Sequence, residues 1–208
     1  MRIGIDFDNT IACYDGAFHA AALVRGLIPP ELARDKTSVR EHLRARGQDS
    51  DFTLLQGYVY GPGMAHAAPF PGLVECLLAL RAAGHSLVMV SHRTREPFAG
   101  PAYDLHEAAR SFLARHGLLN GEASPLREAD VWLELTKQAK IARIAALECD
   151  VFIDDLPEIL AMPDFPPVTQ RILFDPEGHY PDGVWKDHRF ASYASWSAIG
   201  AALLDSAA

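Results

Sequence analysis

Cysteine is scarce in this chain. Its 208 residues include only three, Cys13, Cys76 and Cys149, far apart and in no CxxC pair. That excludes a disulfide framework and a cysteine-built zinc site, and points to free thiols. The nine histidines show no HxxxH or HExxH spacing, so they carry no zinc signature either. No apolar run approaches the roughly 18 residues of a membrane span. Positive charge is in short supply, with 19 Lys and Arg against 27 Asp and Glu and a formal charge of -8. A surface built to bind a polyanion needs clustered Lys and Arg, so nucleic acid is not the expected partner. Repeats and low-complexity tracts are missing. An acid already stands at Asp6, where a signal peptide would be apolar, so a cytoplasmic location is expected.

What is present is an ordinary globular mixture, 49% hydrophobic and 22% charged. The length fits one domain with an inserted subdomain. Short apolar runs at 2–7, 86–91, 131–135, 151–154 and 171–174 read as strands. Leu87-Val88-Met89-Val90 and Val151-Phe152-Ile153 are nearly continuous, as in strands covered on both faces. Helical spacing marks 72–83, closed by Gly84, and a helix opened by Asp104 with Glu107 and ended by Gly117. Thr136 is placed to cap a helix running to about 147, and 196–204 reads as a last helix. Strand and helix in alternation predict an α/β fold with a doubly wound, Rossmann-like parallel sheet. The exception is 14–69, which has helical patterns and no clear strand. A structureless loop of that length is improbable. The expectation is a small inserted helical cap at 14–69, carried by a core of 1–13 and 70–208.

The chemistry concentrates at predicted strand ends. Asp6-Phe7-Asp8-Asn9-Thr10 closes the first strand with two carboxylates on one side of an extended chain. Strand ends of a parallel sheet are where ligands bind. Two anions so close resist joint ionisation unless a cation lies between them, and a hard divalent ion such as Mg²⁺ meets that need. The second strand ends in Ser91-His92-Arg93, offering a hydroxyl and amides to phosphate oxygens. Lys137 and Lys140 stand one helical turn apart beyond the third strand, and Asp154-Asp155 ends the fourth. His92 and Arg93 border this set, and Arg93 and Arg95 open a Gly/Pro-rich loop that is placed to meet an anionic substrate.

These four stations, in this order, resemble the haloacid dehalogenase superfamily. Asp6-Phe7-Asp8-Asn9-Thr10 is similar to its first motif, Ser91 to the second, Lys137 or Lys140 to the third, and Asp154-Asp155 to the fourth. The resemblance implies that Asp6 is the nucleophile and Asp8 the general acid and base. It implies that Ser91 and the lysine, Lys137 or Lys140, hold the phosphoryl group, with Asn9 and Thr10 beside them. Asp6, the Asp8 carbonyl, Asp155 and Asp154 would bind Mg²⁺. The insertion at 14–69 stands where members of this superfamily carry a C1 cap. Superfamily dehalogenases lack an acid at the position of Asp8, so its presence favours phosphate-ester hydrolysis on a small phosphorylated substrate. Two further readings stand beside a phosphatase. One is a phosphotransferase or phosphomutase that passes the group to a hydroxyl. The other is a binding protein that keeps the fold without turnover, although here every motif acid is present.

Overall fold

The computed structural model describes residues 1–180 and 190–205. In chain order the elements are β1 (Arg2–Ile5), β2 (Ala12–Cys13), α1 (Asp15–Val24), α2 (Lys36–Ala45), α3 (Asp49–Tyr60), β3 (Ala68–Pro69), α4 (Leu73–Ala82) and β4 (Ser86–His92). They continue as α5 (Leu105–Arg115), β5 (Val131–Glu134), α6 (Lys137–Ala146), β6 (Val151–Asp154), α7 (Pro157–Leu160), β7 (Gln170–Phe174), β8 (Ala191–Tyr193) and α8 (Trp196–Asp205). The two-residue strands β2 and β3 make a separate ribbon. No helix among the described residues is long and apolar enough to cross a membrane.

The chain divides into two compact units. The first comprises Met1–Ile11, Pro69–His92 and Gly117–Ala208. It holds a six-stranded sheet in the order β5-β4-β1-β6-β7-β8, with every pairing parallel. The sheet is therefore the Rossmann-like α/β architecture expected from the alternating pattern. β8 adds a sixth strand that the apolar pattern did not show, because Ala191-Ser192-Tyr193 is short and has no buried run. The central strands are dry: Ile3, Ile5, Val90 and Ile153 are fully buried. Gly4 is dictated by packing, since a Cβ there would lie 2.5 Å from a ring carbon of its cross-strand neighbour Phe152. On one face, Phe152 forms a cluster with Ile141, Ile144, Ile159, Leu160 and Phe165.

The second unit is helical and comprises Ala12–Ala68 and Arg93–His116, so it takes in α5 as well as α1 to α3. Its grouping follows from two glycines four residues apart in sequence. A Cβ on Gly57 would lie 2.8 Å from the Cβ of Pro97, and one on Gly61 would lie 2.8 Å from the Cβ of Tyr103. The bare end of α3 thus admits the 97–103 loop at backbone distance. Arg93 ties the same segment inward. Its buried guanidinium donates to the carbonyls of Leu105 at 2.9 Å and Tyr60 at 2.6 Å, and to the Tyr14 hydroxyl at 3.3 Å. Arg93 is thus an internal fastening of this unit, where the sequence suggested a loop arginine greeting substrate. Arg95 lies outside, 3.4 Å from Asp104.

Candidate active site

Three neighbouring strands, β4, β1 and β6, end together in the first unit. From β1 the sheet grows outward in both directions, the switch point at which open α/β sheets form a crevice beyond their carboxyl ends. Asp6 follows Ile5, which pairs with both Met89 and Ile153, and the Asp6 amide donates to the Ile153 carbonyl at 2.9 Å. Asp6 and Asp154 therefore leave adjacent strands at the same level, and each is almost fully buried. Asp155 completes a trio in which one oxygen from each carboxylate lies within 4.8 Å of the others.

Lys140 is the counter-charge. It sits in the first half of α6, whose start is set by Thr136, the side chain of which accepts the Ala139 amide at 3.0 Å. The buried Lys140 ammonium lies over the Phe152 ring, 5.4 Å from its centroid, and 2.6 Å from both Asp6 Oδ1 and Asp154 Oδ2. The other Asp154 oxygen accepts the Leu156 amide at 3.0 Å. Burial works against the charge on Lys140, but Asp154 and Asp6 together hold its pKa above the ordinary lysine value. For Asp6 burial is the dominant influence. It outweighs Lys140 and, with Asp154 and Asp8 adding their negative charge, pushes the carboxyl up to about 7.

Lys137 lies elsewhere. Being three residues earlier in α6, it points to the surface, where its ammonium is 3.9 Å from Glu158 and about half exposed. The two lysines left open by spacing are thus separated by burial. Ser91 is buried, and its hydroxyl has no hydrogen-bond partner among the described residues. The same holds for the Thr10 hydroxyl, fully buried in the loop after β1. Asn9 turns that loop with φ 54°, a left-handed conformation that Asn tolerates better than most residues. Asp8 is half-buried and lies outside the carboxylate trio, although its charge is felt at Asp6. His92 is held below the usual imidazole range by partial burial, then by Lys140 and Lys137, so it is neutral at pH 7. Tyr14, Tyr58, Tyr60 and His66 belong to the helical unit, where Tyr14 is fully buried and lies tilted against Tyr60 with ring centroids 4.8 Å apart.

The residues fit a divalent cation and a phosphoryl group. Among the described residues three carboxylates face one ammonium, so the acids there outnumber the positive charge. Oxygen-only donors of this kind suit Mg²⁺. Among the described residues the buried Ser91 hydroxyl has no acceptor, a place that an oxygen of a phosphoryl group would fit.

Solved structures share the fold. A haloacid dehalogenase family hydrolase from Deinococcus radiodurans R1, with bound phosphate and sodium, matches over 98% of this chain and 95% of its own, with TM-score 0.59 and 18% identity. This is the haloacid dehalogenase fold. A predicted phosphatase from Clostridium acetobutylicum with the same fold matches over 98% of both chains at TM-score 0.63 and 12% identity. Protein Tyrosine Kinase A of Mycobacterium tuberculosis matches over 97% of both at TM-score 0.62 and 17% identity. No protein-family model and no curated protein sequence matches the chain. Within the haloacid dehalogenase fold, the residue that sequence reasoning missed is Trp196. Its indole N–H donates to the Thr10 carbonyl at 3.0 Å, beside the motif acids. Nothing local marks it, since the two residues are 186 positions apart.

Proposed function

We propose that this chain is a Mg²⁺-dependent phosphatase that hydrolyses a small phosphorylated metabolite through an aspartyl-phosphate. The observation that carries this reading is the buried Lys140 ammonium shared between Asp6 and Asp154, with Asp155 alongside and, on the neighbouring strand end, a Ser91 hydroxyl that has no partner among the described residues. Asp6, Asp154, Asp155 and the Asp8 carbonyl would hold the cation, which when bound supplies positive charge against the phosphoryl oxygens.

The protein's own groups do the rest. An Asp6 oxygen attacks phosphorus while the bond to the leaving oxygen breaks, and Asp8 gives that oxygen its proton. Asp8, now ionised, takes a proton from the water that attacks the acyl phosphate, and inorganic phosphate and free Asp6 result. Lys140 has three N–H donors, of which Asp6 and Asp154 occupy two. The third serves a phosphoryl oxygen, as does the Ser91 hydroxyl, and fixed donors of this kind cost no reorganisation during reaction. In this reading the 14–69 insertion is assigned the part of a lid that excludes water.

A phosphotransferase is the second reading, favoured by the match to a protein described as a tyrosine kinase. The test is release of phosphate from a panel of phosphorylated sugars, nucleotides and small acids, with and without Mg²⁺, for wild type and Asp6→Asn. Turnover that needs metal and disappears in Asp6→Asn is expected. Phosphate appearing on an added acceptor instead of in solution would move the assignment to group transfer. A well-folded protein inert in every arm would defeat both enzyme readings.

A further inference from the structure

The loop that carries Asp8 is held at its far side by Phe70 and by Trp196 from the other end of the chain. Its first turn is internal, with the Ile11 amide donating to the Phe7 carbonyl at 3.0 Å and Asn9 in the left-handed region. Its next two carbonyls are gripped from outside. Thr10 O accepts the Trp196 indole N–H at 3.0 Å, and Ile11 O accepts the Phe70 amide at 3.1 Å. The buried Thr10 hydroxyl has no hydrogen-bond partner among the described residues, so its side chain shows no such hold there. Trp196 is itself rigid. It is fully buried, lies against Phe174 with ring centroids 5.7 Å apart, and begins α8. That helix packs on α4 closely enough that a Cβ on Gly200 would come within 3.0 Å of Cys76 Sγ.

We propose that Trp196 is a positioning residue for Asp8, clamping the loop through the Thr10 carbonyl so that the proton-transferring carboxyl is held steady beside Asp6. The inference rests on the phosphatase reading for its catalytic half. A buried, rigid indole is well suited to the task, because its single donor has one direction and no rotamer freedom once the ring is packed. Asp6 and Asp154 are tied by Lys140, whereas the clamp acts on the loop two residues beyond Asp8.

The test removes the N–H. Trp196→Phe is the first variant, and 3-benzothienylalanine at position 196, with sulfur in place of the N–H, is the second in case the smaller ring impairs folding. Phe174→Leu is the packing control. Each is assayed on a nitrophenyl phosphate, whose leaving oxygen departs without a proton, and on an alkyl phosphate, whose leaving oxygen needs one. With one buried hydrogen bond lost, kcat on the alkyl ester is expected to fall about tenfold at unchanged KM, and on the nitrophenyl ester less than about threefold. Phe174→Leu is expected to leave the ratio between the esters unchanged. Hydrogen exchange at residues 7–11 is expected to quicken in both position-196 variants. Equal losses on the two esters, or a Phe174→Leu ratio that shifts as much, would make Trp196 merely structural and overturn the proposal. Unchanged exchange at 7–11 overturns it whether or not the protein turns over. A wild type inert on both esters with quickened exchange in the variants keeps the clamp and removes the phosphatase reading.

Discussion

At the scale of single residues, the centre is governed by one cation among acids. Removing Lys140 leaves Asp6 and Asp154 buried beside each other without their shared partner. Breaking a buried pair costs about 3–5 kcal/mol, so Lys140→Met is expected to lose stability on that scale in denaturant unfolding and to lose activity. Lys137→Ala is the contrast. Its exposed, 3.9 Å approach to Glu158 is worth at most about 0.5 kcal/mol, and unfolding midpoints should barely move. A Lys137 variant that lost activity while Lys140→Met kept it would reverse the assignment of roles between them.

At the scale of elements, caps and bare backbone decide where functional side chains are delivered. Thr136 caps α6, and α6 delivers Lys140. Thr136→Ala is expected to cost about 1 kcal/mol of stability, measured by urea unfolding, as an N-cap loss does. In the helical unit, Gly57 lets the Pro97 segment approach α3, with only 2.8 Å available to a new Cβ. Gly57→Ala is expected to destabilise that unit by about 1–3 kcal/mol through overpacking, in spite of alanine's better helix propensity. Calorimetry that shows a gain in thermal stability would mean that the loop moves aside freely.

At the scale of the whole molecule, the excess of buried acid shapes the response to pH and to metal. With no divalent cation bound, the Asp6 carboxyl titrates at about 7 in the folded chain and near 3.8 when unfolded. The folded state then retains a proton that the unfolded state has released. Stability of the metal-free protein should fall as pH rises from about 4 to about 7. Added Mg²⁺ is expected to raise the melting temperature by mass action, more at pH 7 than at pH 5, because a cation favours the ionised carboxylates it binds. Thermal unfolding with and without Mg²⁺ at the two pH values checks both signs. A melting temperature indifferent to Mg²⁺ at both would count against a divalent site at Asp6, Asp154 and Asp155.

Much of this was legible in the amino-acid order. Near-continuous apolar runs announced the central parallel strands, because strands covered on both faces have no polar side to show. Thr136 and Asp104 announced their helices, since each cap is written into adjacent residues; both accept the predicted backbone amide. The carboxylates of Asp6, Asp154 and Asp155 were visible as strand-end acids. What local order left undecided depends on distance through space. Burial, not spacing, separates Lys140 from Lys137. The short edge strand β8 exists only because β7 is there to pair with it. The 93–116 segment joins α1 to α3 because of the bare backbone at Gly57 and Gly61 and the inward turn of Arg93, and none of these is visible in periodicity. Trp196 reaches Thr10 across almost the whole chain. Local order already showed which candidate groups stand on which elements, because propensity, capping and hydrophobic period act over a few residues. Only the tertiary structure decided which of those groups meet, because a charge pair or a hydrogen bond between distant residues exists once packing has brought them to within a few ångströms and excluded water.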